Sequence, residues 1–175
     1  MGDPKKIRKK YRTPSHPWQK SRIDEEKSII QEYGFTNKKE IWKMGSVLRN
    51  FKQRIKKATT HQTAQSETEK QHLLNKLQSL GLTKGLASAD EILGLTLKDI
   101  LERRLQTIVF RKGLARSMKQ ARQMITHRHI VVGTKMITSP SYLVQKGEED
   151  KVGFVAKSGF TNPEHPERIT EKGKE

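Results

Sequence analysis

Arg111-Lys112-Gly113-Leu114-Ala115-Arg116-Ser117-Met118-Lys119-Gln120-Ala121-Arg122-Gln123-Met124-Ile125-Thr126-His127-Arg128-His129-Ile130-Val131-Val132-Gly133 is the stretch in which the hydrophobic period of the chain changes. Ser117 and Gln120 have the spacing of a capping box. After them Met118, Ala121, Met124 and Ile125 recur every three or four residues, which predicts one apolar helical stripe. Past His129 the pattern becomes a β-branched run, Ile130-Val131-Val132, closed by Gly133-Thr134, a turn signal. Upstream, Leu97, Ile100, Leu101, Leu105, Ile108 and Val109 predict a helix that begins after Thr96 and stops at Gly113, with Arg103, Arg104 and Arg111 on its other face. Downstream, Met136-Ile137, Tyr142-Leu143-Val144 and Val152 to Val155 are short apolar runs separated by Ser139-Pro140-Ser141 and Gly147, the pattern of short strands and turns. This block reads as two helices followed by a small antiparallel sheet.

Further out the pattern is helical. A short helix is expected from Asp24 to Tyr33 with Gly34 as its stop. A longer one is expected from Asn37 to about Lys57 on the stripe Ile41, Met44, Leu48, Phe51 and Ile55. Ser66 with Glu69 forms a second capping-box pair, before a helix carrying Leu73, Leu74, Leu77 and Leu80 that ends at Gly81. Ser88 with Glu91 and Thr96 with Asp99 mark two more helix starts. The fold class is α+β. The expected divisions are a basic arm at 1–22, a helical body at 23–100, the helix-and-sheet block at 101–155 and a flexible polar tail at 156–175.

Charge and hydrophobicity set these boundaries. Of the 39 Leu, Ile, Val and Phe residues, 36 fall within 23–155, so the ends are too polar to bury themselves. The formal charge is +17, far beyond what solubility requires, and it is not spread evenly. Residues 1–22 carry eight Lys or Arg against Asp3, and residues 101–146 carry ten against Glu102. Residues 23–100 are nearly balanced, and residues 147–175 have seven acids to five bases. An ordinary surface mixes both signs, so the arm and the central block point to a polyanionic partner.

The block has a geometry suited to such a partner. The helix that starts at Ser117 exposes backbone N–H groups and a positive dipole end at its first turn. Lys119, Arg122 and Thr126 follow at one-turn spacing, and Arg116, Gln120, Gln123 and His127 line the adjoining stripe. These donors can follow a nucleic-acid backbone while Met118, Ala121 and Ile125 anchor the helix. Arg103, Arg104, Arg111 and Lys112 from the preceding helix, with Arg128 and Lys135 beyond, extend the candidate surface. In the arm, Lys5, Lys6, Arg8, Lys9, Lys10, Arg12, Lys20 and Arg22 are further phosphate ligands, and the arm is expected to order only against its partner. Trp18 lies in the arm with no core of its own and is a candidate for stacking on bases. Trp42 lies beside an apolar stripe and is expected at the edge of the core.

Arg104-Leu105, Arg111 to Ser117 and Ala121 to His127 resemble the helical half of the S4 RNA-binding domain. Ile130 to Gly133, Ile137, Pro140-Ser141-Tyr142 and Gly147 resemble its strand half. The arm, from Gly2-Asp3-Pro4-Lys5-Lys6 to Pro14-Ser15-His16-Pro17-Trp18, is similar to the start of the fourth family of small-subunit ribosomal proteins in its archaeal version, and with residues 23–100 the resemblance covers nearly the whole chain. It implies a structural protein that binds the 5′ domain of small-subunit ribosomal RNA early in assembly. It also implies a place near the mRNA entrance beside neighbouring small-subunit proteins, with mRNA itself as a possible contact, and a part in translational accuracy. The two-helix surface would face RNA, which gives that role to Arg104, Arg111, Arg116, Lys119, Arg122 and His127. Two departures stand out. Many such domains have Gly directly before the first strand, where this chain has Arg128 and His129. Some relatives bind zinc through an N-terminal cysteine cluster, and this chain has no cysteine.

Other functions find little support in the residues. The absence of cysteine excludes a disulfide framework, thiolate metal sites and a cysteine nucleophile. His127 and His129 form the closest histidine pair, with no carboxylate within fifteen residues, so no metal is expected. No nucleophile elbow, phosphate-cradling glycine loop or HExxH is present, and Asp90, Glu91 and Asp99 sit at helix starts where the dipole explains them. No enzyme activity and no cofactor are expected. No apolar run reaches the roughly 20 residues of a membrane span, and the N-terminus lacks the apolar core of a signal peptide, so no membrane partner and a cytoplasmic location are expected. The alternatives are a ribosome-biogenesis factor with the same RNA-binding domain, an RNA-modifying or synthetase enzyme carrying it as an appendage, and a nonspecific nucleic-acid condenser.

Overall fold

The computed structural model describes residues 9, 11–61, 63–83, 88–162 and 165–168. Its spine is α2 (Lys38–Thr60), which buries Ile41, Met44, Phe51 and Ile55 along one side, as the period predicts. Against it pack α1 (Lys20–Tyr33), α3 (Ala64–Ser79), α4 (Ala89–Gly94) and α5 (Leu97–Glu102). Their shared core runs from Tyr33 and Phe35 through Leu73, Leu77 and Ile92 to Ile100 and Leu101. A second core begins at Leu105. It is built by α6 (Leu105–Arg111), α7 (Met118–Thr126) and the strands β1 (Ile130–Val132), β2 (Lys135–Met136) and β3 (Val152–Phe154). The sheet is antiparallel in the order β2-β1-β3, with Val132 opposite Lys135 and Val152. Gly133-Thr134 forms the two-residue turn between β1 and β2, with Gly133 at φ 61°. Burying Ala121, Met124 and Ile125 of α7 in this core stabilises it by about 1.5–3 kcal/mol for each of the two large side chains.

Four local expectations are corrected. The helix after Thr96 is two helices: α5 ends at Glu102 and α6 begins at Leu105. The break arises because the chain pairs with the sheet side at this point. Val144 donates its N–H to Arg103 O, Arg104 forms a bridge with Leu143, and Leu105 N–H donates to Tyr142 O at 2.8 Å. Those partners replace helical ones and turn Arg104 inward. For the same reason Tyr142-Leu143-Val144 makes one bridge rather than a strand, and Lys146–Glu149 forms a one-turn helix, α8, that no periodicity marked. The cap of α3 is Thr63, not Ser66. Ser66 sits at the third helical position and completes a box with Thr63, so the helix starts three residues earlier than a Ser66 cap would place it. Helix α1 starts at Lys20, so Asp24, Glu25 and Glu26 lie inside it rather than in its first turn.

The ends are also better packed than their composition implies. Tyr11 packs at a tilt against Trp42, ring centroids 6.2 Å apart, and Arg12 N–H donates to Ser46 Oγ at 3.0 Å, which lays this part of the arm along α2. Trp42 is half-buried, as expected for an edge of the core, and its indole N–H donates to Glu26. In the tail, Phe160 stacks on Phe154 and meets His129 edge-on at 5.0 Å, so the described part of 156–168 is folded against the second core rather than extended.

Candidate nucleic-acid interface

The two cores meet at a short seam, and the seam decides which cations face outward. Gly34 ends α1 at φ 60°, and a Cβ there would stand 2.8 Å from Met118 Cβ, so only glycine lets α7 approach this closely. Buried Gln106 donates from its amide to Met118 O at 2.8 Å and to Tyr33 O at 3.3 Å, joining α6 to the start of α7 and the end of α1. Beside them lies Glu40 of α2. Its carboxylate takes Arg104 Nη2 at 2.7 Å and Arg122 Nη2 at 2.9 Å. Arg104 also stacks over Phe35 at 4.7 Å and is 1% exposed.

These contacts set the ionisation of the cluster. Burial acts to raise the Glu40 carboxyl, but hydrogen bonds and charge from Arg122 and Arg104 overcome it and hold the group below the usual carboxylate range. Burial acts on Arg104 to weaken its hold on the proton, and Glu40 opposes that. A guanidinium remains charged at any physiological pH. The cluster is therefore a buried ion pair with a second, partly exposed arginine attached.

This arrangement corrects part of the candidate surface. Arg104 belongs to the seam and cannot reach a solvent-side phosphate. Arg103 turns to Glu149, 2.8 Å away, and to Val144 O, and its side chain is mostly buried. Arg122 is 27% exposed and spends one end on Glu40. Arg22 is occupied by Glu26 and by the carbonyls of His16 and Pro17. Sequence periodicity showed the faces of these helices but not the glutamates opposite them.

The remaining cations keep the predicted face. Lys119, Gln123 and Thr126 are exposed along α7, and Lys112, Arg116, His127, Arg128 and Lys135 are exposed around its ends. Arg111 is also exposed, though it pairs with Glu102 at 2.5 Å. Ser117 caps α7 as its spacing predicts, accepting the Gln120 N–H at 3.2 Å. Arg128 has φ 65°, so the turn into β1 is made in the left-handed region with a side chain rather than with glycine. That conformation carries a cation outward at the end of α7. Gln120 is half-buried, with Oε1 accepting from Arg116 N–H and Nε2 donating to Glu167 O at 3.0 Å.

A second basic surface lies between the arm and α2. A cleft of about 480 Å³ is lined by Lys9, Tyr11, Arg12, Thr13, Ser46, Arg49, Asn50 and Gln53. No acid is among these residues. Lys9 lies over the Tyr11 ring at 5.1 Å. Arg49 and Gln53 are not among the candidate site residues read from the sequence. Trp18 is 90% exposed and Lys20 is exposed. Lys5, Lys6, Arg8 and Lys10 lie outside the described residues. Among the described residues no cluster of three or more His, Asp or Glu side chains could hold a metal ion. No helix among them is long and apolar enough to cross a membrane.

Two helices capped onto a small antiparallel sheet, with basic and amide side chains along the second helix, define a protein that carries an S4 domain. The S4 domain family matches residues 103–150, which span α6, α7, β1, β2 and α8. The likeness continues over the whole chain. "Small ribosomal subunit protein uS4" of Methanococcus maripaludis is 46% identical over 176 residues, covering 100% of this chain and 99% of the relative. The protein of the same name from Methanococcus vannielii is 47% identical over 171 residues, with 97% and 96% coverage. That from Nanoarchaeum equitans is 47% identical over 170 residues, with 96% and 94% coverage. The chain belongs to the uS4 family.

Proposed function

We propose that this protein is a structural constituent of the small ribosomal subunit in the cytoplasm, and that it binds small-subunit ribosomal RNA through the exposed face of α7 and its flanks. The observation that carries the reading is the sorting of the arginines. Those that face the seam are neutralised by Glu40 and Glu149, whereas Lys112, Lys119, Arg128 and Lys135 remain exposed without an acidic partner among the described residues. The mechanism is electrostatic and geometric rather than catalytic. Lysine and arginine displace counterions from phosphates, and fixed helix spacing reads the shape of a folded RNA. The cleft between the arm and α2 adds a second line of phosphate ligands on the body.

The family resemblance extends the proposal to the 5′ domain of the RNA, to early entry into assembly, and to a position near the mRNA entrance with neighbouring small-subunit proteins. Cross-linking in cells followed by sequencing of the attached RNA tests the site. Recovery of small-subunit ribosomal RNA fragments supports the reading, and fragments scattered over unrelated RNAs would overturn it. Sedimentation after a moderate salt wash separates a constituent, which stays with mature subunits, from a biogenesis factor found only on precursors.

A further inference from the structure

We infer that the tail is a built-in cover for the start of the RNA face, and that RNA must displace it. The inference rests on the proposed role of α7 and adds regulation to that same surface. Arg116 Nη2 donates to the carbonyls of Pro166 and Arg168, the latter at 3.1 Å. Gln120 Nε2 donates to Glu167 O at 3.0 Å. Three consecutive backbone carbonyls thus occupy donors at the start of α7 that a phosphate would use. A carbonyl oxygen is a hydrogen-bond acceptor like a phosphate oxygen but lacks its charge. The tail therefore satisfies these donors in the free protein and competes weakly against a charge-assisted bond.

The tail is held in place by a small anchor of its own. Phe160 lies between Phe154, His129 and His165, with ring centroids at 6.0, 5.0 and 4.5 Å. His129 Nδ1 and Ser158 Oγ are 2.9 Å apart, and Arg168 returns to donate to Thr161 O at 3.1 Å and lie over Phe154 at 5.6 Å. The anchor is modest in size and only half-buried, which suits a segment that detaches. Phe160 and Ile169 are also the two large aliphatic or aromatic residues in 156–175.

Charge makes the test clean. Residues 156–175 carry four Lys or Arg and four Asp or Glu, so removing them leaves the net charge at +17. A change in RNA affinity on truncation is then an effect of uncovering, not of long-range attraction. If the uncovered state is populated about one part in ten, removing 156–175 tightens binding by about tenfold.

The experiment compares the full chain, a chain ending at Val155, and full-length Phe160→Ala, each titrated with small-subunit ribosomal RNA. Far-ultraviolet circular dichroism confirms that each is folded. Because the chain has no cysteine, Glu167→Cys accepts a single spin label on the otherwise intact tail. The expected results are tighter binding by the truncated chain and by Phe160→Ala, and a label that becomes mobile in proportion to RNA bound. Equal or weaker binding by both variants, or a label that stays immobile on saturation with RNA, overturns the cover while leaving the RNA face intact. Failure of all three proteins to bind this RNA removes the proposed function and the cover together.

Discussion

The Glu40 carboxylate reaches Arg104 at 2.7 Å across the seam between the two cores, 64 residues away in the chain. Its other oxygen holds Arg122, so one acid ties the body to both an inward arginine and an arginine of α7. The seam is where the stability of the fold and the orientation of α7 meet.

Removing one member of a buried ion pair strands the other. Glu40→Gln should lower stability by about 3–5 kcal/mol, because Arg104 is left buried with its charge uncompensated. Arg104→Met replaces that charge with an apolar chain of similar length beside Phe35 and should cost less. Urea denaturation of the two variants gives the order directly. If Arg104→Met proves the more damaging, the ion pair is contributing net stability that this account does not give it.

The same pair predicts a dependence on pH. The folded Glu40 carboxyl lies below its ordinary value of 4.5, so the unfolded chain takes up this proton more readily. Stability from the group is complete above about pH 4.5 and is lost as pH falls through the folded value. The gap in stability between the native protein and Glu40→Gln should therefore narrow on acidification below about pH 4.5. A gap that widens instead would show the sign to be wrong.

Salt dependence separates exposed cations from sequestered ones. Lys119→Ala should reduce the slope of log affinity for ribosomal RNA against log salt by about one unit. Arg122→Ala should change it less, since Glu40 already holds that guanidinium, and Arg104→Met should leave it unchanged. Filter binding at four or more salt concentrations reads all three. Equal slopes for Lys119→Ala and the native protein would place the RNA elsewhere.

Arg128 joins a backbone requirement to a charge. In the left-handed region a non-glycine residue costs about 1–2 kcal/mol, partly balanced by the greater entropy glycine loses on folding. Arg128→Gly should thus be neutral or stabilising by up to about 1 kcal/mol, yet weaken RNA binding by removing a cation. Arg128→Val should destabilise, because a β-branched side chain is strained at φ 65°. Thermal melts paired with RNA titration distinguish the two effects.

Gly34 has the opposite balance. Its φ of 60° and the 2.8 Å approach of Met118 Cβ leave no room for a methyl group. Gly34→Ala should cost about 2 kcal/mol or more from strain and overlap together. Gly113→Ala also has positive φ but meets nothing within 4 Å, so it should cost less. Denaturant midpoints of the two variants measure the contribution of the seam.

Much of this molecule was legible in one dimension. The α7 stripe, the Ser117 cap, the Gly133-Thr134 hairpin turn and the segregation of charge are local patterns, because hydrogen bonds and side-chain periods within an element depend on neighbours a few residues away. The burial of Ile41 to Ile55 and of Met124 and Ile125 follows from the same rule. Tertiary structure alone decided which arginines stay exposed. Adjacent Arg103 and Arg104 look alike in sequence, but strand-side partners around residues 142–144 break the helix between them and their successors. Glu149 then takes one arginine and Glu40 the other. The packing of Phe160 and the tail over α7 depended likewise on distant groups. A charge is exposed or buried according to the partner that folding brings to it, and the energy of that pairing depends on a distance in space which the order of residues does not contain.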